Sequence, residues 1–181
     1  MISILTARKA TPDDPDEALL LAFKRGDRTP FLWLYDRYRD SVIGYVWRMC
    51  GRRDVAEDIC VEAFAGLIVR VWKPDKSFRE SLGKVVHKMC VAQLTRSPPP
   101  AYNGSAPAPP GSPEEAAATP QKLAVEQAVA SIPLGYRAVL LLYYTMELSQ
   151  DQISRILECD REQLPLQIAS ARHLLRRAGE R

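Results

Sequence analysis

The sequence is poor in the residues that most enzymatic and metal chemistry needs. It has four cysteines, Cys50, Cys60, Cys90 and Cys159, with no C-x-x-C pair among them, and only two histidines. His87 and Cys90 lie three apart and can share a helix face, but a structural zinc site takes four such ligands, so no metal is expected. Nine glycines in 181 residues form no Gly-rich phosphate loop, and no nucleophile elbow is present. These absences argue against an enzyme, and no cofactor is expected. No apolar run approaches the roughly 20 residues of a membrane span. The opening "MISILTARKATPDDPDE" is too short in apolar residues for a signal peptide. A cytoplasmic protein with reduced thiols and no membrane insertion is the expectation.

Charge of one sign is also scarce. Lys and Arg number 25 against 22 Asp and Glu, a net charge of +3, so an anionic partner must be met by a local patch. At 46% hydrophobic and 26% charged, the composition is that of a folded globular chain.

Proline, by contrast, is plentiful and clustered. "SPPPAYNGSAPAPPGSPEEAAATP", residues 97–120, removes backbone donors and offers no core, which predicts an extended Pro/Ala-rich linker. Tyr102 within it has no assignable role. Two modules flank it, 1–96 and 121–181. The first holds 17 basic and 13 acidic residues, the second 8 and 7, so the basic excess sits in the N-terminal module.

Both modules read as helices. "PDEALLLAFKRG" predicts an amphipathic helix ending at Gly26. In the next, Phe31, Leu34, Tyr35, Tyr38, Val42, Val46 and Met49 form a stripe at spacings of three and four, and Gly51 ends it. Trp33 and Trp47 are read as core with Tyr35 and Tyr38. "DVAEDICVEAFAGLIVRVW" repeats the pattern with Ala56, Ile59, Ala63, Phe64, Leu67 and Val71, Asp54 as N-cap, and Pro74 beyond. A fourth helix, "SFRESLGKVVHKMCVAQLTR", is expected to bury Leu82, Val85, Val86, Met89 and Leu94 while Lys84, His87, Lys88 and Arg96 face elsewhere. Past the linker come a helix stopped by Pro133, a strongly apolar "YRAVLLLYYTM", then "SQDQISRILE" and "REQLPLQIASARHLLRRAGE". Ser149 and Gln152 make an S-x-x-Q capping box. Ile153, Ile156, Leu157, Leu164, Ile168 and Leu175 supply a buried face. Two short helices beneath an apolar one predict a helix-turn-helix. An interior proline costs about 3 kcal/mol, so Pro165 predicts that the last helix starts late, near Glu162 or Gln163.

With these pieces in order, about 150 of the 181 residues resemble the extracytoplasmic-function group of bacterial sigma factors. "AFKRGDRTPFLWLYDRYRDSVIGYVWRMCG" is similar to the family's "GD..AF..LY.RY". "DVAEDICVEAFAGL" resembles its "DAEDLVQEVFL" helix, and "SIPLGYRAVLLLYYTMELSQDQISRILECD" resembles its "LP...R.V..L....GLS..EIA..LG". The resemblance implies an all-α chain, with a region 2-like bundle over 1–96 and a region 4-like helix-turn-helix over 121–181. It implies core RNA polymerase, promoter DNA and an anti-sigma factor as partners. It carries polymerase binding to Asp54, Glu57, Asp58, Glu62 and Phe64, an acidic face beside an apolar anchor. It carries −10 element contact to Lys84, His87, Lys88 and Arg96, and −35 contact to Arg161, Gln163, Gln167, Ser170, Arg172 and Arg176.

The departures from the family lie in its reading segments. Aligning "FRESLGKVVHKMCVAQLTR" with "FRAWLLTIARNLALDELRR" puts Ser81 at the family's Trp, His87 and Lys88 at Arg-Asn, Ala92 at Asp, and Thr95 and Arg96 at an Arg pair. Lys offers a base only donors where Asn offers both a donor and an acceptor. Where the family has "G-T-V-K-S-R", this chain has Glu162 through Gln167, so a Lys and an Arg become Pro165 and Gln167. Each lost bidentate base contact removes roughly 1–3 kcal/mol of discrimination. The expectation is promoter-directed initiation; the alternative is a sigma-like interaction module that occupies polymerase or an anti-sigma factor without reading DNA.

Overall fold

The computed structural model describes residues 9–69, 77–98 and 120–179. Val71, Pro74 and nearly all of the linker, Tyr102 included, lie outside the described residues, so those expectations are not addressed. Every regular element among the described residues is helical: α1 (Asp16–Lys24), α2 (Thr29–Cys50), α3 (Arg53–Val69), α4 (Phe78–Arg96), α5 (Pro120–Ser131), α6 (Leu134–Tyr144), α7 (Gln150–Leu157) and α8 (Leu164–Gly179), with a 3₁₀ turn over Arg161–Gln163 before α8. None of these helices is long and apolar enough to cross a membrane.

The chain divides into a compact unit over Met1–Tyr38 and a second over Arg39–Arg181. In the first, α1 ends where Gly26 adopts φ +99°, a left-handed conformation open to glycine at no steric cost. Asp27 then accepts a hydrogen bond from the Thr29 amide at 3.0 Å, satisfying a free N–H at the start of α2. Arg37 binds the Asp16 carboxylate and donates to the Asp14 carbonyl at 2.9 Å, while the Tyr38 hydroxyl donates to Asp16. Phe23 and Phe31 meet at 5.7 Å.

In the second unit α2 continues with Val42, Val46, Trp47 and Met49 buried and terminates at Gly51, φ +70°, as its spacing predicts. Its neighbour α3 packs on α4, with the Phe64 and Phe78 rings 6.3 Å apart. α4 in turn packs on α7, and α8 is held by α5 and α6 around a core of Ile132, Leu140 and Ala171. α4 meets its neighbours closely at Gly83, where an added Cβ would sit 2.9 Å from Leu148 Cδ1 and 3.3 Å from Ile156 Cδ1.

Three expectations are corrected. α3 begins at Arg53, so Asp54 stands in its first turn rather than at the N-cap. α4 buries Phe78, Leu82, Gly83, Val86 and Cys90, and leaves Val85, Met89 and Leu94 only half-buried. Of the aromatic residues assigned to the core, Tyr38 and Trp47 are buried, whereas Trp33 and Tyr35 are half-buried. The late start of the last helix is observed: α8 begins at Leu164, and Pro165 occupies the first turn, where no amide donor is required.

Candidate functional site

Three surfaces carry the residues singled out from the sequence. On α3, Ala56, Ile59, Ala63 and Phe64 are buried, which leaves Asp54, Glu57, Asp58 and Glu62 exposed on the opposite side. Asp54 accepts from Arg52 at 2.5 Å, and that guanidinium holds its carboxyl below the usual carboxylate range. Glu57 pairs with Arg53 at 3.2 Å. Among the described residues Asp58 and Glu62 make no ion pair, so the anionic character of the face resides in them. The apolar residue that accompanies them at the surface is Val61, 60% exposed. Phe64, expected as the apolar anchor, is 2% exposed and belongs to the α3–α4 core, because it falls on the same helical stripe as Ile59 and Ala63.

On α4, Lys84 and Lys88 project into solvent one turn apart, and Arg96 is exposed at the C-terminal end. His87 does not join them. Its ring is half-buried, and its Nδ1 shares a 2.8 Å hydrogen bond with the hydroxyl of the fully buried Tyr45. Burial pushes the imidazole below its ordinary pKa and the Tyr45 phenol well above its own, so both are held neutral. His87 therefore offers no cation to an external anion.

The third surface is built by α7 and α8. Ser149 accepts from the Gln152 amide at 3.3 Å while Gln152 accepts from the Ser149 amide at 2.9 Å, the reciprocal capping box. Glu158 closes α7 in the left-handed conformation, and Asp160 starts the 3₁₀ turn by accepting from the Glu162 amide at 3.0 Å. Arg161 is exposed but pairs with Asp151 at 2.6 Å. Gln163 is exposed, Ser170 half-buried, and Arg172 and Arg176 exposed. The Arg172 guanidinium lies 5.4 Å from the Tyr144 ring and 5.9 Å from Tyr143, within cation–π range. Pro165 is exposed, and Leu166 beside it is 72% exposed. Gln167 is half-buried and lines an open groove of about 720 Å³ together with His87, Val91, Leu94, Tyr136 and Val139.

Sequence reasoning missed the polar contacts that join these surfaces. Arg48 holds Glu126 in a fork, with Nη2 to Oε1 at 2.8 Å and Nε to Oε2 at 3.1 Å; Glu126 is buried. Arg137, 8% exposed, donates to the carbonyls of Ala130, Ile132 and Arg48, and burial lowers its pKa. Its identity was visible as the Arg of "LP...R.V", although nothing local announced its partners.

The chain's similarities follow the same elements. Residues 34–91, from α2 through most of α4, match the family Sigma-70 region 2. Over 172 residues the chain is 26% identical to the ECF RNA polymerase sigma factor SigW of Bacillus subtilis (strain 168), covering 85% of this chain and 91% of SigW. The chain is thus similar to a sigma factor over most of its length and to Sigma-70 region 2 over α2 to α4. Its fold is similar to that of CnrH, solved in complex with the cytosolic domain of CnrY, with a TM-score of 0.64, 17% identity and coverage of 90% of this chain and 95% of that one. The family is regulatory and non-catalytic. In this chain the segment similar to Sigma-70 region 2 holds the acidic α3 face and the Lys84–Lys88 pair.

Proposed function

We propose that this chain is a sigma factor that binds core RNA polymerase through the exposed acidic face of α3 and directs it to a specific set of promoters. In this reading the chain works as two modules, 1–96 and 121–181, joined by the Pro-rich linker, in the cytoplasm. The observation that carries it is the segregation on α3: Asp58 and Glu62 stand unpaired among the described residues beside exposed Val61, and the helix is clamped from beneath by Phe64 on Phe78. Lys84 and Lys88 supply phosphate and base contacts at the −10 element. The α7–α8 pair acts as the helix-turn-helix at the −35 element, where Gln163 can address adenine and Leu166 a thymine methyl. An anti-sigma factor is a further partner in the proposal, supported by the likeness to CnrH, which was solved with the cytosolic domain of CnrY.

A second reading, a sigma fold kept for its protein contacts, is favoured by one group of observations. Arg161 is tied to Asp151, Gln167 and His87 line the groove, and no Lys or Arg lies between Leu164 and Ala171. Reconstituted transcription with bacterial core polymerase and a fragmented genomic library separates the two. Discrete start sites sharing upstream elements, lost on Lys84→Ala with Lys88→Ala, are expected of the first. Stable core binding, abolished by Asp58→Lys with Glu62→Lys but yielding no specific start sites, would replace it with the second.

A further inference from the structure

We propose that Cys50 and Cys90 form a buried dithiol that a small hydroperoxide converts into a disulfide, a modification site that ties the end of α2 to α4. The chemistry needs none of the roles proposed above for α3, α4 or α8. Cys50 is 3% exposed and Cys90 0%, and their thiols share a hydrogen bond. Tyr45 and His87 set the register of the two helices that brings them together, with the Tyr45 hydroxyl 2.8 Å from His87 Nδ1. Beyond that contact Cys50 is the last residue of α2 and Cys90 the next buried residue of α4.

The two sulfurs are not equivalent. The hydrogen bond with Cys90 lowers the Cys50 pKa below its ordinary value, against the opposing effect of burial, and the nearby Arg52 charge adds to the lowering. The same bond, together with burial, pushes the Cys90 thiol up. A thiolate is the nucleophile, so Cys50 attacks first. Its sulfur takes one oxygen from the peroxide O–O bond and becomes a sulfenic acid, while the other oxygen leaves as hydroxide and takes up the proton shed by Cys50. The Cys90 sulfur then displaces hydroxide from that sulfenic acid, and the Cys90 proton makes it the second water. Two thiols lose two electrons and two protons, one hydrogen peroxide gains them as two waters, and an S–S bond of about 2.05 Å replaces the hydrogen bond.

Access selects a small oxidant. Met49, His87 and Val91, each within a turn of one of the cysteines, line the open groove of about 720 Å³. A neutral molecule the size of hydrogen peroxide has one side-chain layer to pass, whereas a bulky disulfide reagent reaches neither sulfur. The end of α2 has room to adjust as the bond closes, because Cys50 is its last residue and Gly51 follows at φ +70°, while Cys90 is fixed inside α4. The bond would close a loop over residues 51–89 that contains the whole of α3, and a cross-link of that reach stabilises by restricting the unfolded chain. In a reducing compartment such a bond is transient and is reversed by thiols.

Hydrogen peroxide treatment of the folded full chain, followed by blocking of the remaining thiols and tryptic peptide mapping, tests this without polymerase or DNA. The expected product joins residues 49–52 to residues 89–96 with the loss of two hydrogens, in preference to every other cysteine pairing, and dithiothreitol reverses it. In the urea-unfolded chain that preference should disappear, and the oxidised chain should unfold at a higher urea concentration than the reduced one. In Cys90→Ser, with folding confirmed by helical circular dichroism, dimedone should trap a sulfenic acid at Cys50, whereas Cys50→Ser should give none at Cys90. A folded chain that keeps both thiols under peroxide, or that forms this link no more often than the unfolded chain does, would overturn the dithiol. Sulfenic acid at Cys90 instead of Cys50 would overturn Cys50 as the attacking sulfur. If neither serine variant folds, the wild-type peptide map alone decides the pairing.

Discussion

Two glycines in neighbouring helices give opposite responses to the same substitution, and the contrast measures how closely α4 meets its neighbours. Replacing a helix-interior glycine with alanine stabilises by roughly 0.5–1 kcal/mol when the site has room. Gly66 in α3 has nothing within 4 Å of an added Cβ, so Gly66→Ala should gain that amount. At Gly83 the same methyl would meet Leu148 Cδ1 at 2.9 Å and Ile156 Cδ1 at 3.3 Å. Carbon atoms settle at about 3.5–4.0 Å, so Leu148 must retreat by well over half an ångström. Leu148 is 2% exposed and Ile156 5%, which leaves them no solvent to move into. Overpacking of this kind costs about 1–3 kcal/mol, enough to cancel the helix-propensity gain and exceed it. The two variants should therefore differ by roughly 1–3 kcal/mol in urea denaturation followed by helical circular dichroism, with Gly83→Ala the weaker. A Gly83→Ala protein as stable as Gly66→Ala would mean that Leu148 and Ile156 do not crowd α4.

Three further outcomes are expected. Ser149→Ala removes the hydroxyl that accepts from the Gln152 amide, leaving only the backbone bond to the Gln152 side chain, and should destabilise by about 1 kcal/mol, with Ser149→Asp recovering most of it in the same urea titration. Arg137→Met keeps volume but strips the donors from the Ala130, Ile132 and Arg48 carbonyls, a loss on the order of 3 kcal/mol; a neutral result would show that desolvation of the guanidinium cancels its bonds. Because burial lowers the His87 pKa, the unfolded chain takes up a proton first as pH falls through about 6.5. Stability should then drop with acidification until the folded-state pKa is passed. His87→Gln, which can keep a bond to Tyr45, should flatten that slope between about pH 7 and pH 5, and an unchanged slope would remove His87 as its cause.

What the sequence disclosed and what it hid follow from the range of the forces involved. Helix existence and the capping box were legible because side-chain spacing and cap chemistry act within a few residues, and Pro165 placed the start of α8 because a pyrrolidine ring is tolerated in a first turn. His87 was assigned to the wrong face because it was counted as polar. Its position four residues after Gly83 and three before Cys90 puts it at the edge of the buried stripe, where only the Tyr45 hydroxyl makes an inward imidazole acceptable. Phe64 was misjudged in the opposite sense, since an apolar residue amid acids suggested an anchor although its spacing from Ala56, Ile59 and Ala63 already placed it inside. Glu80 with Arg155 and Arg48 with Glu126 left no local trace, being separated by 75 and 78 residues.

The two sets of long-range contacts differ in strength, and that difference determines where the second unit can move. Arg48, Glu126 and Arg137 are largely shielded, and removing one partner strands a buried charge or carbonyl, so the joint of α2 with α5 and α6 resists disruption by several kcal/mol. Glu80–Arg155 and Arg79–Glu147 each have one solvent-exposed member, and such pairs contribute about 0–1 kcal/mol apiece. A partner on the acidic face of α3 shifts this joint only by the difference between its affinities for the two arrangements, and a difference of about 30-fold, roughly 2 kcal/mol, offsets those two pairs. α3 packs directly on α4, so the acidic face and the weaker joint lie one helix contact apart. Local opening should therefore be easier where α4 meets α7 than at the Arg48–Glu126 fork, which hydrogen exchange of the two regions would read.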